Sequence, residues 1–194
     1  MTEKEKMLSG DIYDAGNPEL IAIWHKAKAL LKEYNNADTT NRQQLNRILE
    51  QLLGRKGENL WITAPFFCDY GENIFIGDNT EINHNCVFLD CNYITVGKNV
   101  LIAPAVQIYT AFHPIKAKDR LSEPGNGAAE FPFCKTQSAP VTIGDNAWIG
   151  GASIILPGVT IGNNVTVGAG SVVTKDIPDN VLAFGNPCRI IRQL

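Results

Sequence analysis

The chain has 194 residues, of which 44% are apolar and 19% charged, and this composition is ordinary for a globular protein with one domain or one domain plus a small appendage. Its net charge of −3 and its lack of a long basic run argue against nucleic-acid binding, and no apolar stretch is long enough to span a membrane. The five cysteines include no C-x-x-C pair, and the start MTEKEKML lacks the apolar core of a secretory signal, so we expect a cytoplasmic protein without disulfides.

The first part of the chain is predicted to form two amphipathic helices. Asparagine, proline and glutamate at 17–19 make a typical helix start, with asparagine as the N-cap and proline at the first helical position. The apolar residues that follow recur at steps of three and four and therefore share one face: Leu20, Ile23, Trp24, Ala27, Leu30, Leu31 and Tyr34. A second helix is predicted from about Thr40 to Gly54. We interpret residues 1–57 as a helical N-terminal segment.

From about residue 60 the hydrophobic period changes to six residues. The aliphatic residues at this spacing are Ile76, Ile82 and Phe88, then, after a shift of two residues, Val96, Ile102 and Ile108, and later Ile143, Ile149, Ile155, Ile161, Val167 and Val173. This period, with glycine, asparagine and aspartate between the aliphatic positions, is typical of a solenoid in which each short strand points one side chain inward. Positive φ angles at the glycine, asparagine and aspartate positions would form the corners. We interpret residues 58–194 as this body, and Cys86, which falls in a repeat position, as a small buried hydrophobe.

The six-residue period stops after Ile108 and resumes at Val141, which predicts a long loop at 112–140. Loops of this length on a rigid scaffold are usually functional. His113, in YTAFHPI, lies at the start of the loop, where the preceding coil still fixes the backbone. An imidazole suits a general base at neutral pH, but from the residues alone a structural role in a surface loop is equally open.

Several stretches together resemble a known family: CDYGENIFIGDN, EINHNCVFLD, VLIAPAVQIYTAFHP, VTIGDNAWIGG, PGVTIGNN, VGAGSVVTKDIP and GNPCRIIRQL. They are similar to the hexapeptide-repeat acyltransferases, whose fold is a left-handed parallel β-helix, and among these to the maltose and galactoside O-acetyltransferases. The resemblance implies a mainly β protein that transfers the acetyl group of acetyl-CoA directly to a hydroxyl of a maltose-, glucose- or galactoside-type sugar, without a metal. It also implies a homotrimer with active sites between subunits.

The resemblance further implies roles for individual residues on the acceptor side. His113 occupies the position of the family's essential histidine and would be the general base. The residues that would contact the acceptor are Asp14, Asp69, Asn83 and Cys91. Without the resemblance, Asp14 would read as a solvated carboxylate and Asn83 as a corner residue. The galactoside enzymes have aspartate at the position of Cys91, and this departure argues against a galactoside as the acceptor.

On the donor side the resemblance implies an acetyl-CoA site on the later coils. The residues expected to form it are Trp148, Gly151, Ala169, Thr174, Lys175, Arg189 and Arg192. The Gly151 amide could donate to the thioester oxygen as charge develops, and the two arginines suit phosphate geometrically. Alternatively, both arginines could be tail residues that keep the C-terminus soluble.

Three other functions stay open. A zinc hydratase like the γ-class carbonic anhydrases would need three imidazoles, and only His84 and His113 lie in the repeat body. A non-catalytic repeat scaffold would not need His113, Asn83, the long loop and a basic tail together. An acetyltransferase acting on an antibiotic or a lipopolysaccharide sugar would use the same chemistry.

Overall fold

The computed structural model describes residues 1–121 and 134–194 of the chain. Three helices come first: α1 (Glu3–Ser9), α2 (Pro18–Asn35) and α3 (Arg42–Leu52). The predicted starts are confirmed for α2, with Asn17 as its N-cap, and to within two residues for α3. Helix α1 was not predicted, because seven residues are too few to show a helical period.

The rest of the described chain is a triangular parallel β-solenoid with three sheets. Sheet I contains β1 (Trp61–Ile62), β4 (Glu81–Ile82), β7 (Leu101–Ile102), β12 (Trp148–Ile149), β15 (Thr166–Val167), β17 (Val181–Phe184) and the antiparallel β18 (Arg189–Gln193). Sheet II contains β2 (Phe66–Cys68), β5 (Cys86–Leu89), β8 (Gln107–Tyr109), β13 (Ile154–Ile155) and β16 (Val172–Val173). Sheet III contains β3 (Ile74–Ile76), β6 (Ile94–Val96), β11 (Val141–Ile143) and β14 (Thr160–Ile161).

The chain visits the sheets in the order I, II, III and back to I, so each circuit is one coil. Equivalent residues of successive coils lie beside each other; Ile82, for example, pairs with Ile102, and Ile102 pairs with Ile149. All twelve aliphatic and aromatic positions of the predicted six-residue period are buried, and so is Cys86. The predicted mainly β solenoid of hexapeptide repeats is therefore confirmed.

The III–I corner shows what asparagine and glycine each contribute to a coil. Six asparagines with positive φ stack there, and each side-chain amide donates to the next; they are Asn59, Asn79, Asn99, Asn146, Asn164 and Asn180. Gly77 does not adopt positive φ, and a Cβ there would lie 2.6 Å from the backbone of Gly97 in the next coil. The prediction that glycine supplies the positive φ of this corner is thus wrong at Gly77, where glycine allows close stacking of the coils instead.

The excursion leaves the solenoid at the II–III corner. Its base is a two-stranded antiparallel ribbon in which β9 (Ala111–Phe112) pairs with β10 (Gln137–Ser138). A short helix, α4 (Ala117–Arg120), follows β9. The ends of the predicted loop 112–140 therefore have regular structure, and its central residues 122–133 lie outside the described residues.

The helical segment packs against this same corner. A cluster of buried side chains joins them: Met7, Tyr13, Leu20, Tyr70 and Cys91. Tyr13 also forms a backbone bridge with Thr136, the residue immediately before β10. The boundary between residues 57 and 58 stays a prediction. Among the described residues, no helix is both long and apolar enough to cross a membrane.

Candidate functional site

His113 lies at the II–III corner, immediately after β9, with its ring exposed. Its Nδ1 is 2.9 Å from the carbonyl oxygen of Lys135, and the Thr136 hydroxyl is 3.5 Å from the same nitrogen. Because a carbonyl oxygen can only accept, Nδ1 must carry the proton, and Nε2 keeps its lone pair. The return of the excursion thus holds the histidine in the tautomer that a general base needs.

A group of polar side chains lies on the same II–III corner as His113. The Asp69 carboxylate accepts from Lys28 of α2 at 3.3 Å and from the Cys91 thiol at 3.9 Å. Tyr13 contacts the same thiol, and its own backbone N–H donates to the Thr136 carbonyl oxygen at 3.2 Å. A continuous chain of contacts therefore joins Asp69 to the residue that touches His113.

Burial keeps the uncharged groups of this corner neutral. Burial raises the pKa of the Cys91 thiol to about 12, with a smaller contribution from the nearby Asp69 carboxylate. Burial likewise raises the pKa of Tyr13 and of Tyr70. Among these residues, Asp69 and Lys28 therefore form the charged pair. Asp14, by contrast, is exposed, and its carboxylate accepts from the Gly16 amide at 2.9 Å.

A second set of predicted residues lies on the I–II corner. Asn83 accepts with its side chain from the His84 amide, and in later coils the same corner holds Gly151 and Ala169. A Cβ at Gly151 would lie 3.2 Å from the Pro104 carbonyl oxygen, whereas one at the preceding Gly150 would lie 2.5 Å from a backbone nitrogen. In the described part of the chain the Gly151 N–H has no acceptor, so it is available to a ligand.

The remaining donor-side residues are distributed over the outer surface of the later coils. Trp148 projects from sheet I with 53% of its surface exposed. Thr174 and Lys175 are exposed at the II–III corner, above His113. Arg189 and Arg192 are exposed on β18, where Arg192 pairs with Leu182. The later coils thus expose three cations, a type of side chain that suits phosphate groups, with Lys175 at the II–III corner and the two arginines on sheet I.

Within one chain His113 shares its corner with Thr174 and Lys175 but lies away from the other donor-side residues. In the triangular cross-section, the II–III corner with His113 lies opposite sheet I, which carries Trp148. Asn83 and Gly151 lie on a different corner from His113, one side of the triangle away. Asp14, Asp69 and Cys91, in contrast, come from distant parts of the chain and lie with His113 around the same corner.

Comparisons with known proteins agree with this architecture. Residues 6–57 match a family model described as a maltose acetyltransferase hexapeptide capping motif, and residues 140–175 match one described as bacterial transferase hexapeptide (six repeats). Nodulation protein L of Rhizobium meliloti is 47% identical over 97% of this chain and 97% of its own length. Galactoside O-acetyltransferase of Escherichia coli is 41% identical over 87% of this chain and 78% of its own length.

Solved structures extend the comparison to three dimensions. The maltose O-acetyltransferase of Clostridium difficile 630 superposes with a TM-score of 0.92 at 47% identity and covers 100% of this chain and 98% of its own. The chain belongs to the maltose and galactoside O-acetyltransferase family. Its fold is accordingly the left-handed β-helix of that family, and it is an acetyltransferase.

Two further members of the family have structures with the donor or its product bound. A hexapeptide-repeat acetyltransferase of Vibrio cholerae in complex with acetyl-CoA has a TM-score of 0.87 at 38% identity and covers 100% of this chain and 99% of its own. A galactoside acetyltransferase in complex with coenzyme A has a TM-score of 0.89 at 37% identity and covers 100% of this chain and 91% of its own.

The structure adds site residues that the sequence did not reveal. Lys28 pairs with Asp69, and Lys135 and Thr136 hold His113. For Tyr13, the sequence signal was its position next to the predicted acceptor residue Asp14 in DIYDAG. Lys28 lies outside the apolar face predicted for the first long helix, so the helical periodicity did not mark it as a site residue. In residues 1–121 and 134–194 no group of three potential metal-binding side chains comes together.

Proposed function

We propose that this chain is a sugar O-acetyltransferase that transfers the acetyl group of acetyl-CoA directly to a hydroxyl, with His113 as the general base. The observation that carries the proposal is the hydrogen bond from His113 Nδ1 to the Lys135 carbonyl oxygen. With the proton on Nδ1, the neutral ring keeps the lone pair of Nε2, and the residue is exposed to an incoming substrate.

The proton transfer explains why the histidine must be neutral and oriented. A sugar hydroxyl attacks poorly until its proton has a destination, and Nε2 accepts that proton as the oxygen attacks the thioester carbon. The C–S bond then breaks and coenzyme A leaves. The Lys135 carbonyl oxygen remains hydrogen-bonded to Nδ1–H, so the ring is supported in both its neutral and its protonated state.

The acceptor is proposed to bind on the side of His113 where Asp14, Asp69 and Cys91 lie. A carboxylate accepts hydrogen bonds from hydroxyl groups, and Asp69 has an exposed fraction of 24% despite its pairing with Lys28. Cys91 offers a neutral thiol where the galactoside enzymes have an acid, so we propose a maltose- or glucose-type acceptor. Asn83 is proposed to contact the acceptor from the other corner.

Acetyl-CoA is proposed to bind along the later coils. Trp148 would contact the donor, and the free N–H of Gly151 would donate to the thioester oxygen as it gains negative charge. The extended acetyl-CoA molecule is proposed to lie along Ala169, Thr174 and Lys175. Its phosphates are proposed to lie near Arg189 and Arg192. Oxygens of phosphate form strong hydrogen bonds with guanidinium groups.

The position of His113 opposite sheet I supports a homotrimer. One chain places its base and its Trp148 too far around the triangle to share a substrate. Sheet I also exposes about half of Trp61, Leu101 and Trp148, at 49%, 49% and 53%. Exposed apolar residues in register along one face favour association. We therefore propose that His113 of one chain acts with Asn83, Trp148 and Gly151 of a neighbouring chain.

The proposal is tested by acetyl-CoA turnover against glucosides, maltose, galactosides, chloramphenicol and cell-surface saccharides. We expect transfer to a glucose-type hydroxyl, and His113→Ala should lower kcat by about 10²- to 10⁴-fold with coenzyme A binding intact. His84→Ala is the matched control, because His84 is also an exposed imidazole of the body. Normal turnover by folded His113→Ala would refute the histidine base, and preference for another acceptor would identify that substrate instead.

A further inference from the structure

The proposed reaction leaves unexplained a buried acid, Asp90, at the II–III corner. Its side chain is 0% exposed, and its Oδ1 accepts hydrogen bonds from the backbone amides of Asp69 and Tyr70, both at 2.9 Å. Its Oδ2 has no partner among the described residues. A buried carboxyl is costly unless its hydrogen bonds compensate for lost water, so a neutral residue would be the simpler choice for a structural corner.

The two amides that Asp90 binds have no other acceptor in the described chain. They lie between β2, which ends at Cys68, and β3, which begins at Ile74, so strand pairing does not hold them. The hydrogen bonds of Asp90 are therefore the polar contacts of these two amides, while Lys28 holds the same segment from the other side through the Cys68 carbonyl oxygen and the Asp69 carboxylate.

The Asp69–Tyr70 peptide carries Asp69, which is part of the proposed acceptor site. The side chain of Asp69 faces Lys28 and Cys91, and the ring of Tyr70 is buried with Tyr13 and Cys91. A rotation of the peptide would move the carboxylate relative to His113. Displacements of about 1 Å are enough to reduce catalysis substantially.

We infer that Asp90 is a positioning residue of the acceptor side: it holds the Asp69–Tyr70 peptide and thereby fixes the Asp69 carboxylate beside Cys91. The functional part of this inference rests on the proposed function, because that proposal makes Asp69 an acceptor contact. The structural part is independent of any acceptor.

Amide hydrogen exchange tests the structural part. In Asp90→Ala, exchange at Asp69 and Tyr70 should accelerate by about 10-fold or more, because two buried hydrogen bonds are lost. In Asp90→Asn the retained oxygen should keep both amides protected. Asp78→Ala is the matched control: Asp78 accepts from the Glu58 amide at 2.9 Å on the III–I corner, so only Glu58 should respond. Unchanged exchange in Asp90→Ala would overturn the inference.

A measurement on the wild-type protein covers the case in which Asp90→Ala does not fold. The amide proton shifts of Asp69 and Tyr70 should change together as Asp90 ionises, and this joint titration should vanish in Asp90→Asn. The other titratable groups that face this site are Asp69, Cys68, Tyr70, Cys91 and Lys28. A titration that persists in Asp90→Asn belongs to one of them and would contradict the assignment.

Steady-state kinetics tests the functional part. Asp90→Ala should raise the acceptor KM by about 10-fold with the acetyl-CoA KM unchanged, and Asp90→Asn should restore it. If Asp90 acts through Asp69, the double variant with Asp69→Ala should be no worse than Asp69→Ala alone. Additive effects would overturn the inference. Wild-type protein that protects both amides but acetylates no sugar would instead refute the proposed function while the positioning by Asp90 stands.

Discussion

At the scale of single residues, the II–III corner contains two buried neighbours that differ in charge behaviour: Cys91 stays neutral, and Asp90 can ionise. Cys91 is a thiol that burial keeps neutral, and its pKa is raised to about 12. Asp90 is an acid whose pKa burial raises to about 7 from an ordinary value of 3.8, with the Asp69 carboxylate also raising it and the backbone amides of Asp69, Tyr70 and Asp90 itself opposing the shift. Asp90 is therefore the buried group of this corner that changes charge near neutral pH.

The shifted pKa of Asp90 predicts a pH-dependent stability. Between about pH 4 and pH 7 the folded protein binds a proton that the unfolded chain has released, so the free energy of unfolding falls as the pH rises through this window. Asp90→Asn removes this loss because asparagine does not ionise.

The difference in free energy of unfolding between Asp90→Asn and wild type should therefore increase in favour of the variant as pH rises from 4 to 8. Denaturant unfolding at a series of pH values measures it, and Asp78→Asn serves as the partly exposed control. The pKa of Asp78 is lowered, chiefly by its hydrogen bond from the Glu58 amide, so its control curve should slope in the opposite direction at low pH. A pH-independent difference for Asp90→Asn would contradict the expected ionisation.

At the scale of elements, helix α1 and the ribbon β9–β10 form one hydrogen-bonded unit with the solenoid. The buried amide of Asn92 donates to the Met7 and Leu8 carbonyl oxygens at 3.4 and 3.2 Å and to the Ser138 hydroxyl at 3.0 Å. Ser138 in turn donates to the Met7 carbonyl oxygen. Because His113 follows β9 directly, α1 contributes to the position of the base without touching it.

Breaking this unit should lower activity through geometry. Asn92→Ala leaves several buried polar groups unpaired, and we expect the free energy of unfolding to fall by about 1–3 kcal/mol. Because the loss loosens the ribbon, kcat should fall more than the acetyl-CoA KM rises.

Asn99→Ala is the matched control, since Asn99 is an exposed member of the III–I asparagine ladder. Kinetics and denaturant unfolding of both variants measure the difference. Equal effects of the two substitutions on kcat would show that α1 and the ribbon do not position His113.

At the scale of the whole molecule, the opposite placement of His113 and Trp148 makes subunit complementation a direct test of the proposed trimer. His113→Ala and Trp148→Ala should each be nearly inactive alone. Mixed trimers contain interfaces with both residues intact, so coexpression should restore about a quarter of the wild-type activity if subunits assemble randomly.

The control for complementation is coexpression of His113→Ala with the double variant His113→Ala/Trp148→Ala, which should restore nothing. Light scattering should give the mass of three chains for every variant. An active monomer, or the absence of complementation in verified mixed trimers, would contradict a site shared between subunits.

The exposed cations of the later coils predict a salt-dependent donor affinity. Lys175, Arg189 and Arg192 are exposed, and the attraction of exposed charges for phosphate is screened by salt. Arg192→Ala should raise the acetyl-CoA KM more than it lowers kcat, and the KM should depend less on salt than in wild type. Arg47→Ala, on helix α3, is the control. If the acetyl-CoA KM of Arg192→Ala depended on salt as it does in wild type, the C-terminal tail would not be part of the donor site.

Much of the fold was determined by the sequence itself. The twelve apolar residues six apart that the sequence singled out are all buried. The structure also buries the residue two positions earlier in strands such as β3, β6 and β11, so these sides of a coil hold two inward side chains and not the one predicted. The helix start at 17–19 could also be predicted from the local sequence, because the side chain of Asn17 caps an amide only two residues away. The break in the six-residue period placed His113 at the start of the excursion and the resemblance implied its role as a base, but neither identified the groups that hold its ring.

The tertiary structure alone decided how the candidate site is assembled. Tyr13 and Thr136 are 123 residues apart in the numbering, yet they pair because the excursion returns over the docked helical segment. The burial of Asp90 and the tautomer of His113 likewise depend on contacts between coils and on the returning ribbon. Local residue preferences encode strands and turns, whereas such distant contacts are set by the register in which the coils stack. For that reason the sequence determined the solenoid, and the stacked structure determined which polar groups meet on each corner.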